Sequence, residues 1–209
     1  MTGQEITNKS FDLIKKRLDG FTAPKMEMEI IIRIAHTTGD VDFATTFCFP
    51  EGAVATGVAA LRAGNPVITD VEMVRTGVRK NLLKELGGEA LCFLNDPDVV
   101  EEVKGSDTTR SALAMKKAAF RLNGAVVAIG NAPTALFQLM EMVDRGEVKP
   151  ALIIGVPVGF IGALESKQVL SEKPYQYITN LSERGGSPIA AAIVNGLLAL
   201  AVQTGNNQG

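Results

Sequence analysis

The feature that most constrains this chain is a repeating alternation in its second half: a short apolar run, a turn rich in glycine, proline or asparagine, and then a segment long enough for a helix. Residues 125–130 (AVVAIG), 151–156 (ALIIGV) and 175–180 (YQYITN) each lead into such a segment. A strand without polar alternation is one buried on both faces, and the intervening helices are what bury it. Residues 66–70 (PVITD) and 89–94 (EALCFL) have the same character. The expected fold is α/β: an open, mainly parallel sheet of about five strands with helices on both faces, preceded by N-terminal helices.

Helix starts are marked independently. Asp96-Pro97 and Ser187-Pro188 each read as a capping residue followed by proline at the first helical position. Beyond Pro188, the residues Ile189, Ile193, Gly196, Leu197 and Leu200 recur at helical spacing. No interval has the composition of an interdomain linker, so residues 1–209 are expected to form one domain, with 203–209 a frayed polar tail.

The segment MEMEIIIRIAHTTGD reads two ways. Met26, Met28, Ile30, Ile32 and Ile34 alternate as a strand would, yet the run is long and ends in Gly39, as helices do. As a helix it gathers Glu29, Arg33, His36 and Asp40 onto one polar stripe, and the helix is the reading taken.

Charge narrows the partners. Against 23 Asp and Glu stand 21 Lys and Arg, a formal net charge of -2, which argues against nucleic acid or a membrane surface as partner. An anionic ligand must then be met by locally placed cations. The N-terminal segment lacks a signal-peptide core, and no apolar run is long enough to span a bilayer, so a cytoplasmic protein is expected. Cys48 and Cys92 lie far apart in apolar surroundings and read as buried, reduced thiols.

In a parallel α/β sheet, ligands bind beyond the carboxyl ends of the strands. Asp70, Asn95, the stretches 130–134 and 155–162, and 180–187 fall there. Gly155, Gly159 and Gly162 have GxxxGxxG spacing and no GxxxxGK[ST] occurs, so a nucleotide fingerprint is not matched and the glycines equally suit plain strand-to-helix turns. Neither GxSxG nor a metal-ligand cluster occurs, and no metal or cofactor is expected. Three cations stand out for carboxylate contacts: Arg110 in the first turn of a helix, Lys167 after the glycine turns, and Arg184 beside Gly185-Gly186-Ser187. His36 is the sole histidine. Its residue context leaves open whether it is a hydrogen-bonded structural residue or a general acid; placement at a helix carboxyl end favours the acid.

Seven motifs in order, SFDLI, RIAHTTGD, FPEGAV, ALRAGNPVITDVEMVRTGV, AIGNAPTALFQL, GVPVGFIGALESK and RGGSPIAAAIVNGLL, run from about residue 10 to 198. Together they resemble the precorrin-8X (cobalt-precorrin-8) methylmutase family of corrin biosynthesis. The resemblance implies an isomerase that moves a methyl group from C-11 to C-12 of a tetrapyrrole polycarboxylate, without cofactor. It assigns the acid to His36, which would protonate a ring C nitrogen and make the carbon framework more electron-poor. It brings in Ser10, Arg33, Thr37, Asn131, Thr134 and Ser187 beside Arg110, Lys167 and Arg184 as substrate-binding residues, and it implies a homodimer with the site near the subunit boundary. The competing expectations are a non-catalytic corrinoid carrier and a nucleotide-binding α/β domain.

Overall fold

The computed structural model describes residues 2–203. Its elements are α1 (Gly3–Arg17), α2 (Lys25–Thr38), α3 (Val41–Ala44), β1 (Phe47–Cys48), α4 (Ala53–Arg62), β2 (Val67–Thr69), α5 (Glu72–Gly77) and α6 (Lys80–Glu85). There follow β3 (Ala90–Cys92), α7 (Pro97–Glu102), α8 (Arg110–Lys117), α9 (Ala119–Leu122), β4 (Val126–Ile129), α10 (Pro133–Asp144), β5 (Leu152–Gly155), α11 (Ala163–Ser171), β6 (Tyr177–Asn180) and α12 (Ser187–Gln203).

The five expected strands pair in parallel in the order β6-β5-β4-β2-β3, and β1 adds an antiparallel edge against β6. Only two residues long, β1 carries no periodicity that a sequence could show. Side chains alternate between two cores. Val67, Val126, Ala128, Leu152, Ile154 and Ile178 face the layer containing α2, α4 and α12. Ile68, Val127, Ile129 and Ile153 face the layer containing α8, α10 and α11. Burial on both faces is why these strands read as continuous apolar runs.

Winding from β2 goes outward to β3, then back across to β4. The crevice between β2 and β4 is therefore the switch point, where open α/β sheets usually take a ligand. Here the chain's own carboxylate fills it. Asp70, 1% exposed, accepts N–H bonds from Gly130 (3.1 Å), Asn131 (2.8 Å) and Ala132 (2.7 Å) at the start of α10. Burial pushes its carboxyl up, against the opposing pull of those three N–H groups.

Several local expectations are corrected. Helix α2 ends at Thr38, where Gly39 adopts φ 68° and accepts the left-handed cap; Asp40 lies beyond it and caps α3 through Phe43 N–H at 2.8 Å. Asp40 thus leaves the polar stripe. Asp96 does stand before Pro97, but its side chain makes no cap bond and instead pairs with Lys117 at 2.6 Å. Ser187 is itself the first residue of α12. Cys48 and Cys92 are free but half-buried, not enclosed. Of the expected tail, Gln203 closes α12 and residues 204–209 lie outside the described residues.

Candidate functional site

Helix α2 buries Ile30, Ile31, Ile32, Ile34 and Ala35, which leaves Arg33, His36 and Thr37 on the opposite side. Helix α1 packs against it and brings two side chains to the imidazole. Ser10 Oγ shares a hydrogen bond of 2.8 Å with His36 Nδ1. The Phe11 ring meets the imidazole edge-on, with centroids 5.2 Å apart at 84°. One hydrogen bond and one ring contact fix the orientation of an otherwise exposed histidine. With Nδ1 taken by Ser10, Nε2 is the nitrogen left to meet a ligand.

His36 opens into a cavity of ≈ 350 Å³ whose walls include Phe11, Arg33, Thr37, Arg79, Pro188 and Asn195. A second cavity of ≈ 350 Å³ shares Thr37 and Pro188 with the first and adds Phe43, Val158 and Arg184. A third, of ≈ 580 Å³, shares Arg184 with the second and adds Arg17 and Asp40. Side by side they make a groove along the carboxyl end of α2 and the start of α12. Helices and the turn that carries Arg79 wall the imidazole cavity, not the strand ends beside Asp70.

The groove is rich in arginine. Burial pushes the Arg33 guanidinium down from its usual range; Glu29 raises it and the nearby positive charge of Arg79 lowers it further. Its guanidinium lies 5.6 Å from the Phe11 ring centroid. Arg184 bonds Asp40 Oδ2 at 2.8 Å and stacks 3.8 Å over Phe43. Asp40 is held below the usual carboxylate range by the Phe43 N–H first and then by that guanidinium.

Lys167 is fully buried, which its sequence context does not suggest. Its Nζ donates to the Arg184 carbonyl at 2.7 Å and to Asn180 Oδ1 at 3.5 Å, so it braces the loop that carries Arg184 and does not enter the groove. Asn180 Nδ2 donates to the same carbonyl at 3.0 Å. Gly185 completes the brace: a Cβ there would stand 2.3 Å from the Val156 carbonyl oxygen. Burial lowers the Lys167 ammonium to about 8 from 10.5. Between those values the unfolded chain binds more protons than the folded one, so stability is expected to rise with pH across that window. Urea unfolding at pH 7.5 and pH 10 should show a rise of about 2 kcal/mol that Lys167→Met lacks.

The structure therefore gathers Arg33, His36 and Thr37 at one cavity, joins Ser10 to it through His36, and sets Arg184 beside it. Ser187 is buried at the start of α12, one residue before the wall residue Pro188. Arg110, Asn131 and Thr134 are not brought to this groove. They cluster at the N-termini of α8 and α10, where Thr109 and Thr134 share a hydroxyl bond of 2.7 Å. Sequence reasoning missed Phe11, Gly77, Arg79 and Asn195. A signal existed for Asn195, a polar residue amid the apolar run IAAAIVNGLLALAV; none marked Arg79, one cation among many.

A doubly wound α/β protein with one oriented imidazole in an arginine-lined groove is equipped to move a proton on an anionic ligand. Comparison with known proteins carries this further. The sequence profile described as CbiC, precorrin-8X methylmutase, matches residues 5–200. Cobalt-precorrin-8 methylmutase of Priestia megaterium is 38% identical over 198 residues, covering 95% of this chain and 88% of that protein. Precorrin-8X methylmutase of Pseudomonas aeruginosa is 42% identical over 197 residues, covering 93% and 94%. The crystal structure of precorrin-8X methylmutase from Thermus thermophilus superposes with a TM-score of 0.90 at 34% identity, covering 97% of this chain and 98% of that one. The chain belongs to the precorrin-8X methylmutase family, isomerases of cobalamin biosynthesis.

Proposed function

We propose that this chain moves one methyl group from C-11 to C-12 of precorrin-8X or cobalt-precorrin-8, giving hydrogenobyrinic or cobyrinic acid, with His36 as the acid. The observation that carries the role of His36 is its geometry. The sole imidazole of the chain is held by Ser10 on one nitrogen and opens with the other toward a cavity walled by arginines. As an imidazolium, it donates Nδ1–H to Ser10 and presents Nε2–H to a ring C nitrogen of the macrocycle. Protonation there draws electron density from the conjugated framework, the methyl group shifts, and the proton returns to His36. Substrate and product are isomers, so the step needs no electron carrier.

Arg33, Thr37 and Arg184 hold the substrate's peripheral carboxylates, and Phe11 and Pro188 offer apolar surface to the ring. The chain acts as one methylmutase domain in the cytoplasm and as a homodimer. The support for a dimer is the loop after β5, where Phe160 and Ile161 are 93% and 91% exposed, an unusual position for large apolar side chains. Among the described residues, no helix is long and apolar enough to cross a membrane.

Incubation with metal-free and cobalt-containing precorrin-8, followed by absorption spectra and mass measurement, tests the reaction. The expected result is a changed spectrum at constant mass. A changed mass would refute isomerisation, and tight binding with an unaltered carbon skeleton by NMR would identify a carrier.

A further inference from the structure

Some arginines of this chain carry a carboxylate. Arg75 pairs with Glu72 at 2.6 Å, Arg121 with Glu89 at 2.5 Å, and Arg184 with Asp40 at 2.8 Å. Arg33 and Arg79 do not: among the described residues neither guanidinium pairs with a carboxylate, although both line the cavity that holds His36. They are close enough that the charge of Arg79 acts on Arg33. Glu29, one turn back on α2, offsets part of the Arg33 charge, and Arg79 still acts against it; a carboxylate in the cavity would meet both guanidiniums.

Helix α12 positions both. Gly196 lies under the Arg33 stem, so close that a Cβ there would be 2.9 Å from Arg33 Cδ. One turn carries Arg79, between α5 and α6, and the Asn195 amide clips it at two points. Asn195 Oδ1 accepts the Arg79 N–H at 2.8 Å, and Asn195 Nδ2 donates to the Gly77 carbonyl at 2.8 Å. Gly77 lets the turn sit hard on α12, since a Cβ there would meet Ala191 Cβ at 2.7 Å. The Arg79 backbone is thus fixed, while among the described residues its guanidinium pairs with no carboxylate. An amide with both ends engaged on one turn is built for placement.

We infer that Arg33 and Arg79 clamp one peripheral carboxylate of the tetrapyrrole beside His36, and that Asn195 is the positioning residue that sets Arg79 for it. This rests on the methylmutase reading and deepens it. A cavity of ≈ 350 Å³ takes an edge of the macrocycle with one side arm, not the whole ligand. Anchoring that arm fixes which ring nitrogen lies against Nε2 of His36, so the clamp sets register and discriminates acid from ester.

The test measures binding of hydrogenobyrinic acid and its fully methyl-esterified form, by absorption titration, to wild type, Arg79→Met, Arg79→Lys and Asn195→Ala. Turnover and melting temperature are measured on the same proteins. Arg79→Met is expected to lose roughly tenfold or more in affinity for the acid, with little change for the ester. KM should rise more than kcat falls, and Arg79→Lys should recover part of the loss. Asn195→Ala should show the same acid-selective loss in smaller measure. A purely structural role would weaken acid and ester alike, and that result overturns the clamp. So does an Arg79→Met protein with wild-type discrimination, while the wild type still binds and isomerises its substrate. If the wild type neither binds nor converts a tetrapyrrole, the methylmutase reading itself falls.

Discussion

His36→Ala is expected to lower kcat for the methyl shift by about a thousandfold while leaving tetrapyrrole affinity within a few-fold of wild type. The reason is the inventory of the cavity into which His36 opens. Its other polar walls are arginines, which do not surrender a proton near neutral pH, and hydroxyl or amide side chains, which are far weaker acids than imidazolium. Stability should change little, because His36 is exposed and contributes one hydrogen bond, to Ser10, and one ring contact, to Phe11. Single-turnover absorption on a saturated complex separates the two effects. Turnover close to wild type in a folded His36→Ala protein would remove His36 from the mechanism.

The largest loss of stability is expected from Asp70→Ala. Its carboxylate satisfies three buried or half-buried backbone N–H groups at the start of α10 and ties the end of β2 to the end of β4. Removing it strands those donors at the positive end of a twelve-residue helix. The expected cost is about 3 to 5 kcal/mol, which lowers the melting temperature by roughly 10 °C in a domain of this size. Asp70→Asn can still accept from Asn131 and Ala132 on one oxygen and should recover a good part of the loss. Thermal unfolding followed by circular dichroism decides it; an Asp70→Ala protein that melts with wild type would show that the crevice repacks without its plug.

Those two residues show how differently fold and site are written in the sequence. His36 could be singled out because the chain has one histidine, and the helix that carries it ends in a readable glycine. Asp70 could be placed at a strand end but not given its task, since the order β3-β2-β4 that aims it at α10 follows from which strands pair, a matter of contacts far apart in sequence. Lys167 misled for a related reason. Lysine is seldom buried, and only the folded chain brings the Arg184 carbonyl and Asn180 to its ammonium. Arg110, Asn131 and Thr134 do stand at helix N-termini as their local signals indicate, yet the groove with His36 forms elsewhere. Asp40 was displaced from the stripe by the left-handed turn at Gly39, which ends the helix two residues too soon for it.

What the sequence alone determined is whatever depends on neighbours along the chain: five strands from unbroken apolar runs, helix ends from glycine and proline, and a single imidazole to propose as the acid. The seven ordered motifs already carried the family resemblance. What only the tertiary structure decided is which charges meet. Pairing of Arg184 with Asp40, burial of Lys167, and the meeting of Arg33 and Arg79 at one cavity all depend on packing that brings together residues distant in sequence. Electrostatic interaction falls with distance in space, not in sequence, so the grouping of arginines along the groove emerges only once α1, α2, α5 and α12 are assembled.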